Sequence, residues 1–178
     1  AVLRTGASPV YSDIDPQTYG SSANGIKSCV TSATKLIVAQ HSFGIPCDIE
    51  RIKKLSKEKG IFLLEDCALT LGSKLNGTVV GNFGDAALFS TDHSKPINTM
   101  TGGIIYTKNT HLASALRVSQ EKCSELPLKK QNALWKRLLI ERKICNPNYY
   151  GKMGLIDLFY AVLVKFFGMQ QPFLTNDY

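Results

Sequence analysis

Residues 34–66 read TKLIVAQHSFGIPCDIERIKKLSKEKGIFLLED, and the fold class turns on this stretch. LIVA at 36–39 and IFLL at 61–64 are short, continuous apolar runs of strand length. Between them, Asp48 suits a helix N-cap and Glu50 falls in the first turn. Ile49, Ile52 and Leu55 share one helical face, and Gly60 stands just past the end. Strand, helix and strand within about thirty residues make a βαβ crossover, whose strands run parallel. IFLL has no polar alternation, so the second strand is expected to be buried on both faces.

The same alternation extends outward. PVYSDID at 9–15 reads as a strand closed by a turn at Asp15-Pro16, and SSANGIKSCVTS at 21–32 as a short helix. Downstream, KLNGTVVG at 74–81 sets Asn76-Gly77 between apolar runs, a hairpin signal, because both residues tolerate positive φ. DAALFS at 85–90 and TGGIIYTK at 101–108 are the next strands. Beyond Asn109 the pattern is helical, at 110–123, 128–145 and 154–168. The expected architecture is α/β, a layered sheet with helices over 1–108, followed by a helical segment over 109–178.

With 178 residues and 44% apolar content, the chain can build one domain with a real core. Its opening, AVLRTGASPVYSDID, lacks an initiator Met and a signal-peptide pattern, and the expectation is an incomplete chain. The five cysteines have no metal-ligand spacing, so neither zinc nor a disulfide framework is indicated and no metal is expected. A reducing, cytoplasmic setting is the expectation from that usage. The run GLIDLFYAVLVKFFGM at 154–169 holds Asp157 and Lys165 and falls short of the roughly 20 residues needed to span a bilayer.

The net charge of +7 is uneven. Residues 1–107 hold 10 Lys/Arg against 9 Asp/Glu, whereas 108–178 hold 11 against 5. Such a tail could meet an anionic partner. Its basic residues, as in LKKQNALWKRLLIERK, interleave with apolar ones at roughly helical spacing and read as a solvated helix face. No nucleic-acid-binding signature accompanies them, and none is expected to bind.

Ligands of open parallel sheets bind at the carboxyl ends of the strands. Three strands deliver polar groups there: His41 after LIVAQ, Glu65-Asp66 after IFLL, and Ser90 to Lys95, STDHSK, after AALF. A lysine amine in a partly desolvated pocket can bond covalently to an aldehyde, and pyridoxal phosphate is the commonest aldehyde cofactor used in this way. Its ring nitrogen needs a carboxylate, and its phosphate needs hydroxyl and N–H donors. Asp66, Ser90 and Lys95 supply one group for each need.

The block LLEDCALTLGSKLNGTVVGNFGDAALFSTDHSK, followed by TGGIIYT, resembles the DegT/DnrJ/EryC1/StrS aminotransferases, pyridoxal-phosphate-dependent sugar aminotransferases of fold type I. The resemblance starts near LRTGASPVYSDIDPQTY and covers residues 1 to about 108. It implies that 1–108 is the central part of the large domain. It further implies that Asp66 pairs with the pyridine nitrogen, Ala68 packs on one ring face, Ser90 binds the phosphate and Lys95 carries the cofactor. His41 sits where the family reads VHxxG, near the site.

By the same resemblance the substrates are a nucleotide-linked keto sugar and an amino donor, usually glutamate, and the assembly is a homodimer. A histidine in place of Lys95 would mark the related dehydratases, and His93 lies two residues too early for that. Leu69 stands where the family commonly has a glutamine. NPNYYGKMG faintly resembles the family's GxNxRM segment, which would make Asn148 a candidate for the asparagine that reaches the phosphate of the partner subunit; the alternative is an ordinary helix-start turn. The alternative reading is a non-catalytic interaction domain that keeps the aminotransferase fold.

Overall fold

The computed structural model describes residues 2–92, 94–144, 146, 148, 162 and 166. These fall into two compact units, Ala1–Glu125 and Leu126–Tyr178. The first unit contains, in chain order, α1 (Ala23–Cys29), β1 (Leu36–Gln40), α2 (Ile49–Lys59), β2 (Phe62–Asp66), β3 (Lys74–Leu75), β4 (Thr78–Val79), β5 (Ala86–Ser90), β6 (Gly103–Tyr106) and α3 (Thr110–Glu121). The second contains α4 (Leu128–Ile144). Among the described residues no helix is long and apolar enough to cross a membrane.

The main sheet has the order β1-β2-β5-β6. β1, β2 and β5 run parallel, with Gln40 opposite Asp66 and Asp66 opposite Leu88. β6 returns antiparallel to β5, with Gly103 opposite Ser90. The crossover at 36–66 is therefore formed as its pattern predicts. In α2, Gly60 closes the helix in the left-handed conformation, φ 63°, and Ile49, Ile52 and Leu55 are buried. Asp48 occupies the cap position but makes no capping bond; its carboxylate binds Arg51 at 2.8 Å instead.

The core lies between this helical face and one face of the sheet. Ile49, Ile52 and Leu55 of α2 and Ala23 and Ile26 of α1 pack with Ile37, Ala39, Leu63 and Phe83. Each large aliphatic side chain so buried contributes about 1.5–3 kcal/mol. The expectation that β2 is buried on both faces does not hold: Leu63 and Glu65 are buried, while Phe62 on the other face is 38% exposed. α1 and α2 both pack on the Leu63 side, leaving Leu36, Val38 and Phe62 at the surface of the other.

Residues 9–15 form no strand. Ile14 makes a single antiparallel bridge to Ser21, closing a turn in which the Asp15 carboxylate accepts the N–H groups of Gln17 and Thr18. With only that bridge for pairing, the segment has no ladder to extend. The Asn76-Gly77 hairpin is present, both residues at positive φ (48° and 79°), as its two-residue turn requires. The helix expected at 154–168 and most of NPNYYGKMG lie outside the described residues, as does His93. Asn148 itself is helical and exposed, its N–H bonded to Asn146 Oδ1 at 3.0 Å.

Candidate functional site

Glu65 and Asp66 close β2, and because side chains alternate along a strand they point to opposite faces. Asp66 takes the open face and is half-buried. Its Oδ1 accepts the Ala68 N–H at 3.0 Å, which turns the chain immediately after the strand. Ser90 ends β5, the neighbouring strand, two residues beyond Leu88, the partner of Asp66. The pleat therefore sets Ser90 on the same face as Asp66. Its Oγ accepts the Asp92 N–H at 3.3 Å.

Lys95 lies in the loop from β5 to β6, half-buried, its N–H bonded to Asp92 O at 2.9 Å. The loop is pinned at its base. Thr91 N–H donates to Gly102 O at 3.1 Å, Thr99 N–H donates to Thr91 O at 2.9 Å, and the Thr91 and Thr99 hydroxyls bond at 2.7 Å. Asp66, Ala68, Ser90 and Lys95 thus all belong to the carboxyl ends of two adjacent parallel strands. A carboxylate, a hydroxyl and an amine on such an edge fit a cofactor that is an aldehyde, a cationic ring and a phosphate at once. Leu69 is exposed, and its carbonyl accepts the Gly44 N–H at 3.1 Å.

His41 is placed differently. It is fully buried, Nδ1 accepts the Cys47 N–H at 3.0 Å, and the ring proton is therefore on Nε2, which donates to Glu65 Oε2 at 3.2 Å. Glu65 is also fully buried, and its carboxylate takes three more donors from one turn: Gly81 N–H at 2.7 Å, Phe83 N–H at 2.7 Å and Gly84 N–H at 2.6 Å. Such a nest of amides is an anion site built by the backbone. Burial pushes the Glu65 pKa up, but the His41 bond and the Gly84, Gly81 and Phe83 N–H groups outweigh it and hold the carboxyl below its ordinary value.

This pair joins the loop after β1, the end of β2 and the turn leading into β5. Asp85 completes the joint: its carboxylate accepts Leu63 N–H and its own N–H donates to Leu63 O, each at 2.8 Å. Glu65, His41 and Cys67 hold ligand-type atoms within 4.8 Å of one another. The Glu65 oxygens, however, face amide and imidazole N–H groups, which a cation would have to displace. Burial, with the Glu65 charge beside it, pushes the Cys47 and Cys67 thiols up to about 12 and keeps them protonated.

Glu65 is the residue to which the sequence assigns no separate task. The signal was available: consecutive acids on a buried strand must split between its faces, and the inward one needs dedicated donors.

Residues 1–153 match the DegT/DnrJ/EryC1/StrS aminotransferase family. The chain is 41% identical over 112 residues to a GDP-perosamine synthase of Escherichia coli O157:H7, covering 63% of this chain and 31% of that protein. It is 38% identical over 118 residues to a UDP-N-acetyl-3-dehydro-alpha-D-glucosamine 3-aminotransferase of Acidithiobacillus ferrooxidans, covering 66% and 32%. Among solved structures it is similar to DesI in the presence of its TDP-sugar product, at 34% identity and a TM-score of 0.64, over 70% of this chain and 32% of that one. The chain thus spans about a third of the length of these curated relatives. The sheet and helices are those of a fold type I transferase large domain in part.

Proposed function

The chain belongs to the DegT/DnrJ/EryC1/StrS aminotransferase family, and on that premise we propose that it is part of a pyridoxal-phosphate-dependent aminotransferase acting on a nucleotide-linked keto sugar. The observation that carries this reading is the shared edge of β2 and β5, with Asp66 and Ser90 on one face and Lys95 in the loop just beyond. The relatives named for GDP-, UDP- and TDP-linked sugars support the substrate class.

When bound, the cofactor supplies an electron sink for the bond-breaking step. Asp66 would hold a proton at its ring nitrogen, Ser90 would donate to its phosphate, and Ala68 would leave room against one ring face. Lys95 would carry it and, once released, move a proton at Nζ between the substrate carbon and the cofactor carbon in each half-reaction. His41 supports this edge through Glu65 and the turn at 81–84. Glutamate is the proposed amino donor, a homodimer the proposed assembly and the cytoplasm the proposed location. Residues 1–108 are assigned to the central part of the cofactor-binding domain and 109–178 to a helical tail.

One observation favours a second reading, an interaction domain that keeps the fold. Leu69 presents an apolar, exposed side chain where the family commonly has a polar one. Borohydride trapping of added pyridoxal phosphate, with mass mapping of the modified lysine, separates the two. A phosphopyridoxyl group on Lys95, lost in Lys95→Ala, supports the cofactor site. Labelling spread over surface lysines would leave the interaction domain as the better reading.

A further inference from the structure

α4 carries six basic residues, Lys129, Lys130, Lys136, Arg137, Arg142 and Lys143, against one acid, Glu141. Glu141 is bonded to Arg137 at 2.9 Å. The helix has apolar residues on two sides. Leu134 and Leu138, four apart, are half-buried together with Arg137 and Glu141 on one side. Leu128, Trp135 and Leu139 form a second line, about 100° further round the helix, where they are 71%, 61% and 53% exposed. The spacing of seven and then four residues stacks them along one stripe.

A row of lysines borders this stripe. Lys129, Lys136 and Lys143, again seven apart, run parallel to it, with the exposed Ile140 among them, and Arg142 lies at its other edge. A solvated face accounts for the lysines but not for a bare tryptophan and two bare leucines in line beside them. The two described residues farther along, Val162 and Phe166, are helical, four apart and exposed as well.

We propose that this face of α4 docks on an anionic bilayer surface, lying in the headgroup plane. Leu128, Trp135 and Leu139 would enter the boundary between headgroups and acyl chains. Lys129, Lys136 and Lys143 would lay their methylene stems along it and keep their ammonium groups at lipid phosphates. Charge complementarity selects the partner. A nucleic acid would satisfy the lysines and leave the apolar stripe in water, and a neutral apolar groove would take the stripe and strand the lysines. α4 lies in a different compact unit from the strand-end residues, so the surface does not depend on the cofactor site.

Trp135 is the only tryptophan of the chain and reports from the centre of the stripe. The whole chain, titrated with vesicles of an equal mixture of phosphatidylcholine and phosphatidylglycerol, should show blue-shifted Trp135 emission and co-sediment. High salt should reverse both effects. Vesicles of phosphatidylcholine alone should do neither. Changing Lys129, Lys136 and Lys143 to Gln should lower partitioning about a hundredfold, at roughly a factor of five per lysine. Trp135→Ser should weaken sedimentation with helix content unchanged by circular dichroism. An unshifted spectrum with the mixed vesicles overturns the proposal, and because it is read on the unmodified chain it needs no variant to fold. Equal binding to both vesicle types, or duplex DNA binding in place of vesicle binding, also overturns it.

Discussion

His41 Nε2 donates to Glu65 Oε2 at 3.2 Å between two side chains with no solvent exposure, one residue away from the proposed cofactor carboxylate. The pair is held from both ends, by Cys47 N–H on the imidazole and by the amides of Gly81, Phe83 and Gly84 on the carboxylate. Removing one partner leaves the others buried without a mate. Glu65→Ala is therefore expected to lower the unfolding free energy by about 3–5 kcal/mol. A urea titration of the two proteins checks this; a loss below about 1 kcal/mol would mean that water replaces the carboxylate.

The same carboxylate sets an acid dependence. Its pKa lies below the ordinary 4.5 when folded, so between the two values the unfolded chain binds more protons and stability rises with pH. The contribution is fully present above the ordinary value and is lost as pH falls through the folded one. Thermal midpoints followed downward from neutral pH should show an acid-side drop that is shallower in Glu65→Gln.

Gly84 sits where a side chain has no room. A Cβ there would meet Leu63 O at 2.7 Å and Glu65 Cγ at 3.3 Å. Gly84→Ala must push the turn off β2 and loosen the amide nest, and a cost of about 1–3 kcal/mol is expected. Denaturant unfolding measures it, and faster amide exchange at 81–84 would locate it.

Thiol reactivity should divide by position. Cys47 and Cys67 are buried, with pKa values pushed up to about 12, while Cys123 is exposed and Cys29 partly so. Of these four, brief alkylation of the native protein should modify Cys123 before Cys29, and leave Cys47 and Cys67 intact until denaturant is added. Peptide mapping reads the order directly.

If Asp66 holds the ring proton, an amide cannot replace its charge. Asp66→Asn should reduce amino transfer by about a hundredfold or more while leaving the fold intact, because the side chain keeps an oxygen for Ala68 N–H. Single-turnover rates, with circular dichroism as the control for folding, test it.

Much of this protein was legible along the chain. The crossover at 36–66, the Asn76-Gly77 hairpin, and the strand ends carrying Asp66, Ser90 and Lys95 are local patterns, set by side-chain period, capping and turn chemistry within a few residues. The family resemblance rests on the same stretches.

What tertiary structure decided depends on distant partners. Residues 9–15 have strand-like composition but only a single bridge to pair with, and β2 is apolar throughout yet covered on one side, because α1 and α2 pack on the same face. Alternation requires Glu65 and Asp66 to part, but only the turn at 81–84, sixteen or more residues away, provides the amides that make the inward acid Glu65. On α4 the sequence shows basic and apolar residues interleaved, and packing alone determines that Leu134 and Leu138 are covered while Trp135 and Leu139 are not. A one-dimensional pattern specifies which residues share a face; what covers that face is set by contacts made across the chain.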